Sequence, residues 1–217
     1  MILKSDRLYL RQLEKDDLAN LIELYGDPEV MRYIMDGRPL TDEAQIKYEL
    51  SNRIKYYDKF PGYGVWPARR RADHEFVGWF ALKYLDQTDE VEVGYRLLRK
   101  YWGFGFATEM TRELIDYGFN EMGLKKIVGV AHPENKPSLK VLEKSGLEYR
   151  KRANFYGCEV VYYSIDNWLN NFSYRIAISP IIFLFGSALV WLFVIITISF
   201  NVIQVIKIDP VKGLHYD

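Results

Sequence analysis

With a single cysteine in 217 residues, no intrachain disulfide can form, because Cys158 has no second thiol to bridge. A small secreted scaffold stapled by disulfides is excluded, and a reducing, cytosolic setting is expected. The chain also lacks net charge, with 29 Lys and Arg against 29 Asp and Glu. No overall field recruits nucleic acid, so any anion site must be local. Its three histidines, His74, His132 and His215, are scattered; no metal cluster is expected, and Cys158 reads as a structural thiol rather than a nucleophile with a base beside it. The opening Met1–Arg7 lacks the basic flank and apolar core of a secretory signal and reads as the start of the fold. Internal repeats and low-complexity stretches are missing as well.

One further absence is local. Residues 176–206 hold no Asp, Glu, Lys, Arg or His. A bilayer core of roughly 30 Å needs about 20 apolar residues in a helix, and 181–200 is such a run, so a C-terminal transmembrane helix is expected.

What is present before that run reads as alternating strands and helices. Leu8, Leu10 and Leu13 suggest an opening strand, followed by helical spacing at Leu18, Leu21, Ile22 and Tyr25. A short helical piece is expected around Val30–Ile34, and a longer helix capped by Thr41 and ending near Tyr57. Tyr63–Pro67, Phe76–Tyr84 and Val91–Leu97 read as antiparallel strands, with Arg69–Asp73 as a solvated hairpin tip. A helix from Gly105, a strand at Ile127–Ala131, a helix at Pro137–Lys144 and strands at Leu147–Arg152 and Cys158–Ile165 complete the pattern.

The stretch RKYWGFGFAT, Arg99–Thr108, joins the Val91–Leu97 strand to the next helix. Two glycines let the backbone approach a ligand, and the following helix offers unpaired N–H groups and the positive end of its dipole. That is an anion cradle, although ordinary strand-to-helix connections share these elements.

Lys100–Gly105 resembles the Q/R-x-x-G-x-G/A pyrophosphate loop of the GNAT superfamily of acetyl-coenzyme A dependent N-acetyltransferases. EVGYRLLRKYWGFGFATEM, HPENKPSLKVLEKSGL and DRLYLRQLEKDDLANLIELYGDPEVMRYI resemble successive signatures of its RimJ/RimL-type branch, over about residues 2–166. The resemblance implies an α+β fold with a mixed, largely antiparallel sheet flanked by helices. Acetyl-coenzyme A would be the co-substrate and a primary amine, on a protein N-terminus or a small molecule, the acceptor.

By position in the motif, the amides of Trp102, Gly103, Phe104, Gly105, Phe106 and Ala107 would hold the pyrophosphate, Thr108 would close the helix start, and Arg99 and Lys100 would add charge. The family often has a basic residue where Phe104 stands. Glu92 occupies the Glu of the E-[IV]-G-Y pattern and would be the general base; Glu90 is the fallback, and simple cross-sheet pairing is the other reading of Glu92. The backbone N–H groups of Arg96 and Leu97 would orient the pantetheine and polarise the acetyl carbonyl. Asn135 would bond the pantetheine arm. Ser138 would protonate the departing thiolate, or merely cap a helix, since Leu142 replaces the tyrosine often found four residues after it.

The tail carries a second resemblance. WLNNFSYRIAISP, the apolar run and IDPVKGLHYD are similar to the last transmembrane helix and tail of FtsX-like ABC transporter permeases. The expected organisation is an acetyltransferase domain, 1–167, and a membrane-spanning helix with a short tail, 168–217. It implies a single-pass protein with a cytoplasmic catalytic domain and membrane lipid as a partner, or a soluble cytoplasmic one if the tail is a fusion remnant. A non-catalytic accessory of a membrane transporter is the alternative.

Overall fold

The computed structural model describes residues 2–34, 36–167 and 180–207, the last stretch with side chains at 187, 190–200, 202 and 203. The chain divides into two units, 1–171 and 172–217. In the first, eight strands form one sheet: β1 (Leu3–Lys4), β2 (Leu8–Leu10), β3 (Gly64–Arg70), β4 (Phe76–Tyr84), β5 (Val91–Leu97), β6 (Lys126–Ala131), β7 (Glu148–Phe155) and β8 (Cys158–Asp166). Their order is β1-β2-β3-β4-β5-β6-β8-β7. Every neighbouring pair is antiparallel except β5 and β6.

Helices α1 (Leu18–Gly26), α2 (Pro28–Met31) and α3 (Glu43–Lys59) lie between β2 and β3, α4 (Phe106–Asn120) between β5 and β6, and α5 (Lys136–Lys144) between β6 and β7. The central strand β4 reads FVGWFALKY and is buried over most of its length, because helices cover it from both sides. On one side Gly118 of α4 packs against Leu82 and Ile127, leaving no room for a larger residue: a methyl there would lie 2.7 Å from Ile127. On the other side Tyr57 of α3 accepts from the Leu13 amide at 3.0 Å and donates to the Val65 carbonyl at 2.5 Å. Register carries this two-sidedness into β5, where Val93 stands opposite Leu82, Glu92 opposite Lys83 and Arg96 opposite Trp79. Val91, Val93, Tyr95 and Leu97 therefore face the α4 side, and Glu92, Gly94 and Arg96 the other.

The opening loop is held by a buried acid. Asp17 is fully buried, takes a bidentate pair from Arg11 at 2.7 Å and accepts from the Glu14 amide at 2.9 Å. Burial pushes its carboxyl up, but the bonds from Arg11 and Glu14 outweigh that and hold it below the ordinary 3.8. Its stabilising contribution is thus complete above pH 3.8 and is lost as pH falls through the lower native value. Asp17→Asn is expected to cost on the order of 3 kcal/mol at neutral pH by leaving Arg11 only the more distant Glu14 carboxylate, at 3.9 Å. In acid titrations followed by circular dichroism, the gap between wild type and variant should close below about pH 4. A gap that persists unchanged into strong acid would show the carboxylate charge to be immaterial.

The chain turns at 71–73, exposed between β3 and β4 as expected of a solvated hairpin tip, and the Arg71 guanidinium donates to the carbonyls of Ser5 and Asp6 at 3.1 and 2.9 Å. Two expectations are corrected. The N-cap of α3 is Asp42, not Thr41: its carboxylate accepts from the amides of Ala44 and Gln45 at 2.9 and 3.4 Å. The other concerns the tail. The described part of the second unit is α6 (Pro180–Lys207). Among the described residues no helix is long and apolar enough to cross a membrane. That finding overturns the expected transmembrane helix and the membrane localisation, and it leaves the lipid partner without support. The permease-like motifs at 168–179 and 208–217 lie outside the described residues.

Candidate active site

The sheet parts at one place. β5 and β6 share a single register pair, Glu92 opposite Val128. Beyond it the strands diverge, leaving backbone groups of β5 without a neighbouring strand. The Leu98 amide bonds the Val77 carbonyl at 2.9 Å. Alternation along an antiparallel ladder then turns the N–H of Arg96 toward β4, and those of Tyr95 and Leu97 toward the gap. Of the two amides expected to face a ligand, Leu97 does so by register; at Arg96 it is the side chain, not the amide, that is of interest.

A cleft of about 400 Å³ opens at this gap, floored by Leu97 and Tyr95 and walled by the turn before α4 and by α5. Trp102, Gly103, Gly105, Phe106, Ala107 and Thr108 line it. Gly103 and Gly105 each have φ +81°, in the left-handed region that side chains disfavour, which explains glycine at both positions. The first intrahelical donor of α4 is Glu109, bonding the Gly105 carbonyl at 3.0 Å, so the amides of Phe106, Ala107 and Thr108 are left for a ligand. The indole of Trp102 pins the turn to the strand end, donating to the Leu97 carbonyl at 2.9 Å. These amides, with space beside them, fit the diphosphate of coenzyme A.

Arg99, Lys100 and Phe104 do not line this cleft. Arg99 pairs with Asp27 at 3.4 Å and Lys100 with Glu23 at 3.5 Å. The Phe104 ring stacks on Phe106 at 5.9 Å and is exposed. Besides Arg96 of β5, the cleft's cations are Lys140 and Lys144 of α5, which have no ion pair among the described residues. Their four-residue spacing from the Asn135 end is visible in the sequence, and a helical projection from Pro137 would have put them on the cleft side.

Asn135 and Ser138 meet at the start of α5, where Asn135 Oδ1 accepts from the Ser138 amide at 3.2 Å. Asn135 is thus an N-cap as well as a cleft residue. Tyr95, which sequence reasoning missed, donates to Ser138 Oγ at 3.1 Å, and burial pushes its hydroxyl up to about 12. Leu142 is buried against Gly129 and takes no part.

Glu92 is on the opposite face of the sheet, 6% exposed. Its carboxylate pairs with Lys83 and accepts from the hydroxyl of Tyr156, while Lys83 Nζ donates to the same hydroxyl at 2.7 Å. Tyr156 comes from the β7–β8 turn with φ +53°, an uncommon conformation for a bulky residue. Burial and the Glu92 charge push its hydroxyl well above the ordinary value. No local pattern links Tyr156 to Glu92, because 64 residues separate them. Glu90 is taken up elsewhere, by Lys126 at 2.7 Å and Tyr162 at 2.8 Å. Cys158 Sγ lies 3.5 Å from the Phe155 carbonyl within the same turn. Among the described residues no group of side chains could hold a metal ion.

Residues 7–148 match the acetyltransferase (GNAT) domain family. The chain is 36% identical over 152 residues to the uncharacterized protein YkkB of Bacillus subtilis, covering 69% of this chain and 86% of that one. It is 33% identical over 155 residues to the FsC-acetyl coenzyme A-N(2)-transacetylase of Aspergillus fumigatus, covering 68% and 65%. A GNAT-family acetyltransferase from Bacillus anthracis superposes with a TM-score of 0.65 at 26% identity, covering 76% of this chain and 97% of that one. None of these matches lends support to the permease-like segment.

Proposed function

The chain belongs to the GNAT acetyltransferase family and is an acetyl-coenzyme A dependent N-acetyltransferase; from this premise we propose that residues 1–167 move the acetyl group to a primary amine by direct attack within a ternary complex. The observation that carries this is the parting of the sheet after Glu92, where the cleft opens between α2, on the face that bears this carboxylate, and α5, on the other. When bound, acetyl-coenzyme A supplies a thioester whose carbonyl carbon the amine attacks.

The chain's own groups do the rest. The amides of Phe106–Thr108 hold the diphosphate, with Lys140 and Lys144 supplying the charge that Phe104 does not. The Leu97 amide faces the gap, where it orients the acyl arm and polarises its carbonyl. Glu92 takes the amine's proton, directly or through water, and Lys83 and Tyr156 hold its carboxylate in place. Because Tyr95 donates to Ser138 Oγ, the serine's own proton is turned away from Tyr95 and toward the departing sulfur. The non-catalytic accessory is not favoured, since glycine turn, cap and carboxylate are all present.

Initial-rate kinetics with acetyl-coenzyme A and primary amines test the order of events. Intersecting double-reciprocal lines and no acetylated protein are expected. Parallel lines with acetyl on Cys158 would replace direct attack by a covalent relay.

A further inference from the structure

Among the described residues four buried side-chain polar atoms lack a partner, and two of them are neighbours: Trp79 Nε1 and Arg96 Nε. The two residues stand opposite each other across β4 and β5, on the face that carries Glu92. Both atoms can only donate.

The Arg96 guanidinium sits 5.0 Å from the Tyr25 ring and 5.1 Å from the Trp79 ring, with Met31 Sδ 3.3 Å from Nη1. No carboxylate pairs with it among the described residues. The nearest other cation, Arg53, rests over the same two rings but is matched by Glu49 at 3.4 Å and by the Tyr25 hydroxyl at 2.6 Å. Burial lowers the Arg96 pKa only to about 10, so it remains charged near neutrality. The pocket therefore holds one cation more than it has anions, an arrangement that is costly unless a ligand supplies the counter-charge.

Position says which ligand. Arg96 lines the cleft, yet its guanidinium lies against α1 and α2 on the Glu92 side, whereas Tyr95 reaches α5 and Ser138 on the other. Between Glu92 and Arg96 on that face stands Gly94, where an added methyl would meet nothing within 4 Å. Base, open floor and unmatched cation thus run along one strand.

We propose that Arg96 and Trp79 form an oxyanion subsite of the acceptor pocket, so that the amine acetylated by this protein also carries a carboxylate or phosphate group. This rests on the acetyl-transfer reading above. The anion lies against the guanidinium while the amine meets Glu92, and bidentate, charge-assisted bonds to arginine give the discrimination.

The test pairs acceptors that differ only in the anion: amino acids against their α-carboxamides, and phosphoethanolamine against ethanolamine. With the full chain, kcat/KM is expected to favour one anionic member by about 10- to 100-fold, a range typical of a charge-assisted pair, and the pair that shows it tells carboxylate from phosphate. Arg96→Met should erase the preference, read as the ratio of kcat/KM within each pair, while acetyl-coenzyme A affinity stays as in the wild type; Arg96→Lys should restore part of the ratio. On the wild type alone, acetate or inorganic phosphate should compete with the acceptor and not with acetyl-coenzyme A. Equal rates for both members of every pair would overturn the subsite. So would an Arg96→Met protein that loses acetyl-coenzyme A affinity, since the guanidinium would then serve the cofactor's phosphates. If no amine at all is acetylated, the transferase reading itself falls, a result distinct from turnover without preference.

Discussion

Glu92→Gln is expected to lower turnover by about 10² to 10⁴, the usual range for losing a general base, while acetyl-coenzyme A binds as before. The separation of effects follows from position, because Glu92 is across the sheet from the glycine turn and does not line the cleft. The amide keeps the size of the acid and can still accept from Tyr156. Lys83 loses its counter-charge, but that side chain is 27% exposed and can turn toward water. A Lys83→Met/Glu92→Gln double variant controls for this: it should recover any lost stability without recovering turnover. The deficit should be greatest near neutral pH and shrink as pH approaches the acceptor's own pKa, where more amine arrives deprotonated. A deficit constant across pH, or one that tracks acetyl-coenzyme A affinity, would mean that Glu92 only holds β4, β5 and the β7–β8 turn together.

Local determinants of this fold are legible in the sequence, and long-range ones are not. β4 and β5 are bounded as expected, Phe76–Tyr84 and Val91–Leu97, because branched and aromatic runs end at turn residues. The turn at Gly103 and Gly105 was legible for the same reason: both glycines mark left-handed backbone that the motif requires. Charge placement was not legible. Arg99 and Lys100 adjoin the glycines in sequence, yet Asp27 and Glu23, from the α1–α2 segment, draw them off the cleft. The partners of Glu92, the Tyr95–Ser138 bond and the unmatched guanidinium of Arg96 all arise from register between distant strands, which no window of sequence contains. The tail shows the opposite error, in which a strong local signal of apolar length stood for a span that the described residues do not supply.

Gly105→Asp is expected to abolish useful cofactor affinity, by about 10²-fold or more, without unfolding the protein. Two effects of the substitution oppose each other in stability and agree in binding. Gly105 has φ +81°, which costs a side chain of the order of 1 kcal/mol, less for Asp than for most residues. Gly105 is also the N-cap of α4, where a carboxylate satisfies free amides and meets the positive end of the helix, a gain of similar size. The melting temperature should therefore move little. The added methylene itself finds room, its nearest neighbour being Arg7 Nη2 at 3.5 Å. For the diphosphate both effects are adverse: the carboxylate occupies the amides of Phe106–Thr108 and puts a negative charge where another must bind, and each charged hydrogen bond lost is worth about 1.5–3 kcal/mol. Gly105→Ala, which shares the backbone strain but brings no charge, should lose far less affinity than the aspartate. Calorimetric titration of acetyl-coenzyme A into the three proteins decides the point. Equal affinities in wild type and aspartate variant would move the diphosphate away from this turn, and equal losses in alanine and aspartate would make the turn's conformation, rather than its charge, what the cofactor requires.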